Sequence, residues 1–115
     1  MQVLAAFRYA LEGFIYCARR ERHMKIHLAA AFSVIGLAWW FELSTIEISV
    51  LFLTIAGVIT AELFNTALET IIDKISPEFH PLAKVAKDAA AGAVLVQAVA
   101  ALVVGYVLFW DKVLK

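Results

Sequence analysis

From residue 89 to residue 110 the chain runs for 22 residues, AAAGAVLVQAVAALVVGYVLFW, without one charged side chain. As a helix this run rises about 33 Å, enough to cross a hydrocarbon core about 30 Å thick. Two further runs share its character, IHLAAAFSVIGLAWWFEL at 26–43 and IEISVLFLTIAGVITAELFNTALETII at 46–72. Lipid offers no partner to backbone N–H and C=O groups, and three strands cannot close a barrel, so all three runs are expected to be helices. Hydrophobic residues are 63 % of the 115 and charged residues 17 %, against roughly 45–50 % and 25 % in soluble domains. A soluble domain this small has too much surface for its volume to hide that excess, and a disordered chain would lack it. The sequence thus predicts an all-α integral membrane protein, residues 1–115 forming a single domain with three membrane helices.

Residues 1–22 differ. Leu4, Phe7, Leu11, Phe14 and Ile15 fall at helical spacing, with Arg8, Glu12, Arg19, Arg20 and Arg22 on other faces. That pattern predicts an amphipathic helix on the membrane surface. Its bases follow the apolar stretch instead of preceding it, unlike a signal peptide. Arg8, Arg19, Arg20, Arg22 and Lys25 precede the first run, and Lys74, Lys84 and Lys87 lie between the second and third. Only Lys112 and Lys115 fall on the other side, which predicts a cytoplasmic N-terminus and 73–88 loop and a C-terminus outside the cell membrane. Trp39, Trp40, Tyr106 and Trp110 then anchor the outer interface. The net charge of zero gives no argument for nucleic acid. One cysteine, Cys17, excludes an internal disulfide and a cysteine-rich metal site. Pro77 and Pro81 bracket the loop SPEFHP and are expected to end the second helix.

The chemistry lies in the second run. Glu62, Asn65, Glu69 and Asp73 share a helix face within an arc of about 80° at about 100° per residue. Glu62 lies about 16 Å deeper than Asp73. A carboxylate near mid-bilayer costs at least about 2.5–3.5 kcal/mol, so such a stripe needs a cation or a water-filled cleft. Helix association alone would be served by Asn65 and Thr66. Oxygen donors without clustered histidines favour Mg²⁺ over Zn²⁺. Glu21, Lys84, Lys87 and Asp88 can converge at the cytoplasmic end of the stripe. Phosphoryl transfer requires that combination of metal, cations and base, although no P-loop is present. His23 and His27 are expected to be solvated at the interface, and Gln97 to bond across helices. A small transporter or channel lined by the acids is the alternative of a different class, and a structural helper subunit would not need Glu62.

The run ELFNTALETIID at 62–73 resembles the ExxNTAxExxxD signature of the prokaryotic diacylglycerol and undecaprenol kinase family. LAKVAKDAAAGAVL at 82–95 is similar to that family's LAKxAKDxxAGAVL, and ERHMKIH at 21–27 to its first-span entrance. The resemblance implies a homotrimeric membrane kinase that uses MgATP to phosphorylate a lipid hydroxyl. It implies Glu62 as catalytic base and Asn65 as support for the base and the substrate. Glu21 and Glu69 would hold the metal ion. Tyr9, Glu78, Phe79, His80, Lys87 and Asp88 would contact the nucleotide along with the two metal ligands. The family's N-terminal nucleotide-binding arginine is matched here by Gln2, with Arg8 as its substitute. The wording NTALE and HPLAKVAKDAAAGAVL looks closer to the undecaprenol branch, with diacylglycerol as the alternative substrate.

Overall fold

The computed structural model describes residues 2–114, which form four helices: α1 (Gln2–Arg20), α2 (Arg22–Trp40), α3 (Thr45–Ile75) and α4 (Pro81–Leu114). No strand occurs among the described residues. Lys115, counted above as a base outside the membrane, lies beyond them.

The breaks between helices have local causes. α1 ends where Glu21 takes an extended conformation, φ −95° and ψ 121°, and α2 restarts at the next residue. Glu21 is thus the joint between α1 and α2. α2 stops at Trp40, three residues short of the expected 43. The stop is a Schellman turn: Leu43 N–H donates to the Ala38 carbonyl (3.1 Å) and Glu42 N–H to that of Trp39 (3.3 Å). Glu42 sits in the left-handed region at φ 54°, and Leu43 packs with Ala38, the apolar contact that accompanies this motif. α3 starts at once through a capping box, in which Ser44 Oγ accepts from Glu47 N–H (3.2 Å) and Glu47 Oε1 from Ser44 N–H (2.9 Å).

At the other end α3 runs to Ile75 and α4 begins at Pro81, eight residues before the expected 89. Proline has no N–H to lose at the first helical position, so Pro81 opens this helix. His80 caps it, its Nδ1 accepting from Leu82 N–H at 3.1 Å.

α3 and α4 are long and apolar enough to cross a membrane. α2 carries Arg22 and Lys25 in its first turn and does not reach that standard. α3 packs most extensively on α4; α1 lies against α2 and α3 and makes no packing with α4. At the α2–α3 turn, Ala38, Leu43 and Leu51 form a core with Val34, Ile55, Leu108 and Phe109. Lys112 Nζ donates to Glu47 Oε2 there at 2.8 Å. Trp39 and Trp40 are exposed, and Tyr106 stacks on Trp110 at this same end. Accessible surface totals 8814 Å², well above the roughly 6,200 Å² that a soluble monomer of this mass exposes. α4 buries no residue at all. The exposed surface is largely apolar, as a bilayer or neighbouring chains require.

Candidate active site

Where α1 and α2 meet α3, the chain buries a carboxylate. Glu62 is 2 % exposed, with Cys17 of α1 and Met24 of α2 as closely buried neighbours in rank. His27 of α2 brings Nε2 to 3.1 Å from Glu62 Oε1. The two atoms touch without the alignment of a hydrogen bond, so Oε1 has no donor. One helical turn on, Thr66 Oγ1 lies 3.2 Å from Cys17 Sγ. Burial pushes the Cys17 thiol up; the Thr66 hydrogen bond opposes this, and the charges of Glu21 and Glu62 add to it.

The next turn of the stripe carries oxygen donors. Asn65 Nδ2 donates to Glu69 Oε1 at 3.2 Å, and Asn65 Oδ1 is buried with no donor. Free carbonyl oxygen beside a carboxylate suits a hard cation, and Mg²⁺ takes one or two carboxylates with phosphates and waters completing its shell. Among the described residues of one chain, no three His, Cys, Asp or Glu side chains gather as a metal site. The expected stripe is therefore present but graded: Glu62 is buried, Asn65 and Glu69 are half-buried, and Asp73 is exposed and paired with Lys87.

Between the adjoining ends of α3 and α4 lies an open cavity of about 330 Å³. Glu78, Phe79, His80, Lys87 and Asp88, scattered over eleven positions, all line it. The 76–80 loop is shaped by Ser76, whose Oγ donates to the Glu78 carbonyl (3.1 Å). His80 spends Nδ1 on its cap and keeps Nε2 free, while Lys84 pairs with Asp88. Tyr9 is not brought here. It is exposed on α1, beneath the Arg8 guanidinium at 5.1 Å, and α1 does not pack on α4. Gln2 and Arg8 also lie on α1.

His27 is the residue that the sequence reading misplaced. It was expected to be solvated, and the structure sets it against Glu62. The signal was present in α2, whose buried residues Met24, Ala31 and Ala38 recur every seven positions; residue 27 falls on that face. A larger cavity, about 630 Å³, is a separate apolar groove between α2 and α3, running from Trp39 to Thr60.

Comparison with known proteins extends this picture. Residues 8–109 match the family described as prokaryotic diacylglycerol kinase. An undecaprenol kinase of Bacillus subtilis (strain 168) is 46 % identical over 107 residues, 93 % of this chain and 87 % of that protein. A diacylglycerol kinase of Synechocystis sp. is 42 % identical over 114 residues, 98 % of this chain and 65 % of that one. A diacylglycerol kinase of Escherichia coli (strain K12) is 26 % identical over 110 residues, 96 % and 90 % of the two chains. With a buried carboxylate, a polar stripe and a loop cavity on one membrane-crossing scaffold, this chain belongs to the prokaryotic diacylglycerol kinase family and is a membrane lipid kinase.

Proposed function

We propose that the chain transfers the γ-phosphoryl group of ATP, with Mg²⁺, to the terminal hydroxyl of a long polyprenol, undecaprenol in particular. The observation that carries this reading is Glu62, a carboxylate 2 % exposed and without a hydrogen-bond donor on one oxygen. It stands at the deep end of a stripe that opens into the loop cavity. A lipid alcohol is a weak acid, so a base must take its proton as the bond to phosphorus forms. Glu62 fills that role, and Asn65 orients the hydroxyl. The apolar groove ending at Thr60, within one turn of Glu62, suits the hydrocarbon chain. Phe79, His80, Glu78, Lys87 and Asp88 hold the nucleotide in the cavity they line, with Tyr9 closing over it from a neighbouring chain. Glu21 and Glu69 hold the metal beside the free Asn65 oxygen. When bound, Mg²⁺ neutralises charge on the phosphates.

In this reading α2 is the third membrane helix, the loop end is cytoplasmic, and three chains assemble with active sites between them. The assembly covers α4 and shields the stripe from lipid. A transport pathway would need polar groups through the half of the bundle near the α2–α3 turn, where the Gln97 amide only packs beside Gly57 and makes no hydrogen bond across helices among the described residues. The relatives named diacylglycerol kinase support diacylglycerol as the second substrate to test.

Purified protein in mixed micelles, offered undecaprenol and diacylglycerol at equal surface concentration with γ-labelled ATP, is expected to label the polyprenol preferentially and only with Mg²⁺. Predominant labelling of diacylglycerol would overturn the choice of lipid. Glu62→Gln is expected to abolish transfer while nucleotide binding persists; wild-type turnover in that variant would remove Glu62 as base.

A further inference from the structure

We propose that His27 is a positioning residue that relays the catalytic proton from Glu62 to water. The inference rests on Glu62 being the base. A base that is 2 % exposed collects one proton per turnover and must pass it on before the next. His27 touches it, Nε2 to Oε1 at 3.1 Å, and its side chain is 23 % exposed. It is therefore the group that joins the sealed carboxylate to an open edge. The other groups facing the pair are poor carriers. Cys17 of α1 is itself buried and bonded to Thr66. Glu21, at the α1–α2 joint, is needed ionised for the metal. Asn65 and Thr66 of α3 do not titrate. α4 brings no titratable side chain between Asp88 and Tyr106.

The substrate hydroxyl gives its proton to the Glu62 carboxylate, and the freed electron pair forms the oxygen–phosphorus bond. The bond from phosphorus to the ADP oxygen breaks, its pair staying on ADP. Glu62 then passes its proton to Nε2 of neutral His27, and the resulting imidazolium loses a proton to water at its exposed edge. Glu62 returns to the carboxylate without leaving its pocket. The open Oε1, which no hydrogen bond occupies in the resting chain, is the atom that delivers the proton when the pair aligns.

His27→Ala and His27→Gln are the variants, assayed for lipid phosphorylation in micelles across pH, with Glu62→Gln in parallel. Loss of a proton-transfer group lowers kcat by about 100-fold or more, and the KM for ATP is expected to stay near wild type. Glutamine preserves polarity and bulk but takes no proton, so His27→Gln is expected to be as slow as His27→Ala. Imidazole is expected to restore His27→Ala at least about tenfold, the rate following its free-base concentration. 1,2,4-Triazole has the same size and is a far weaker base, and it is expected to restore little. Wild-type kcat and an unchanged pH profile in His27→Gln would overturn the proposal. Equal rescue by both azoles, or by neither, would overturn it too, since that marks a packing role. Should His27→Ala fail to fold, His27→Gln decides alone through kcat and its pH profile. Activity in Glu62→Gln would instead sink the base assignment, and an inactive Glu62→Gln beside normal His27 variants sinks only the relay.

Discussion

The α3–α4 interface turns on one glycine. A Cβ placed on Gly57 would stand 2.8 Å from Gln97 Oε1 and 3.3 Å from its Cδ, about half an ångström inside ordinary contact. Gly57→Ala therefore has two opposed effects. Helix propensity favours alanine by about 0.8–1.0 kcal/mol. Overpacking costs about 1–3 kcal/mol where the neighbour cannot yield. The atoms met are the terminal amide of Gln97, the movable end of a half-buried side chain, so the amide turns aside at a cost of about 1 kcal/mol and the single variant is expected to be nearly neutral. Gln97→Ala removes the obstructing amide. In that background Gly57→Ala should stabilise by about 1 kcal/mol, a coupling of about 1 kcal/mol between the sites. SDS-induced unfolding of the four proteins in micelles, followed by far-ultraviolet circular dichroism, measures the cycle. Additivity within about 0.5 kcal/mol would refute the contact as the reason for glycine.

Two further outcomes follow from local structure. Cys17 is 1 % exposed and burial raises its thiol pKa, which lowers the thiolate fraction at neutral pH. Maleimide should label the folded protein at least about 100-fold more slowly than the SDS-unfolded chain, and equal rates would contradict the burial. Glu42 holds φ 54°, a region that costs an L-residue about 1–2 kcal/mol. Glu42→Gly should stabilise by about 0.5–1 kcal/mol after glycine's own entropic cost, and a lowered unfolding midpoint would show that the Glu42 side chain matters more than its backbone.

The periodicity that announces the helices also announces the stripe, because both follow from about 100° per residue. Glu62, Asn65 and Glu69 stand where that arithmetic puts them, and the five loop-end residues gather although nothing but their positions near a proline turn links them. Helix ends were harder to read. Residues 41–43 are as apolar as the helix before them, and only the Schellman hydrogen bonds end α2 at Trp40. Pro81 reads as a breaker until the preceding His80 supplies a cap. His27 was hidden for a different reason. Its position near two bases marks it as interfacial, and although spacing puts it on the buried face of α2, its partner Glu62 is fixed by how α2 crosses α3.

A single chain leaves the proposed site divided. Tyr9 and the nucleotide cavity lie on helices that do not pack together, and the Asn65 and Glu62 oxygens lack donors. If the missing groups come from the next chain, sites are repaired by mixing defective subunits. Consider Glu62→Gln chains, which keep a sound Tyr9, combined one to one with Tyr9→Ala chains, which keep a sound base. Each homotrimer is expected to be inactive. In randomly mixed trimers, a site that takes its base and loop cavity from one subunit and Tyr9 from the next is intact when a Tyr9→Ala chain precedes a Glu62→Gln chain. Each choice has a probability of one half, so about one site in four should work. A site built within one chain carries a lesion in every subunit and recovers nothing. Activity near a quarter of wild type after co-refolding, against none for either variant alone, would support the shared site. Absence of recovery in trimers shown to be mixed would place Tyr9 in the site of its own chain and remove the shared site.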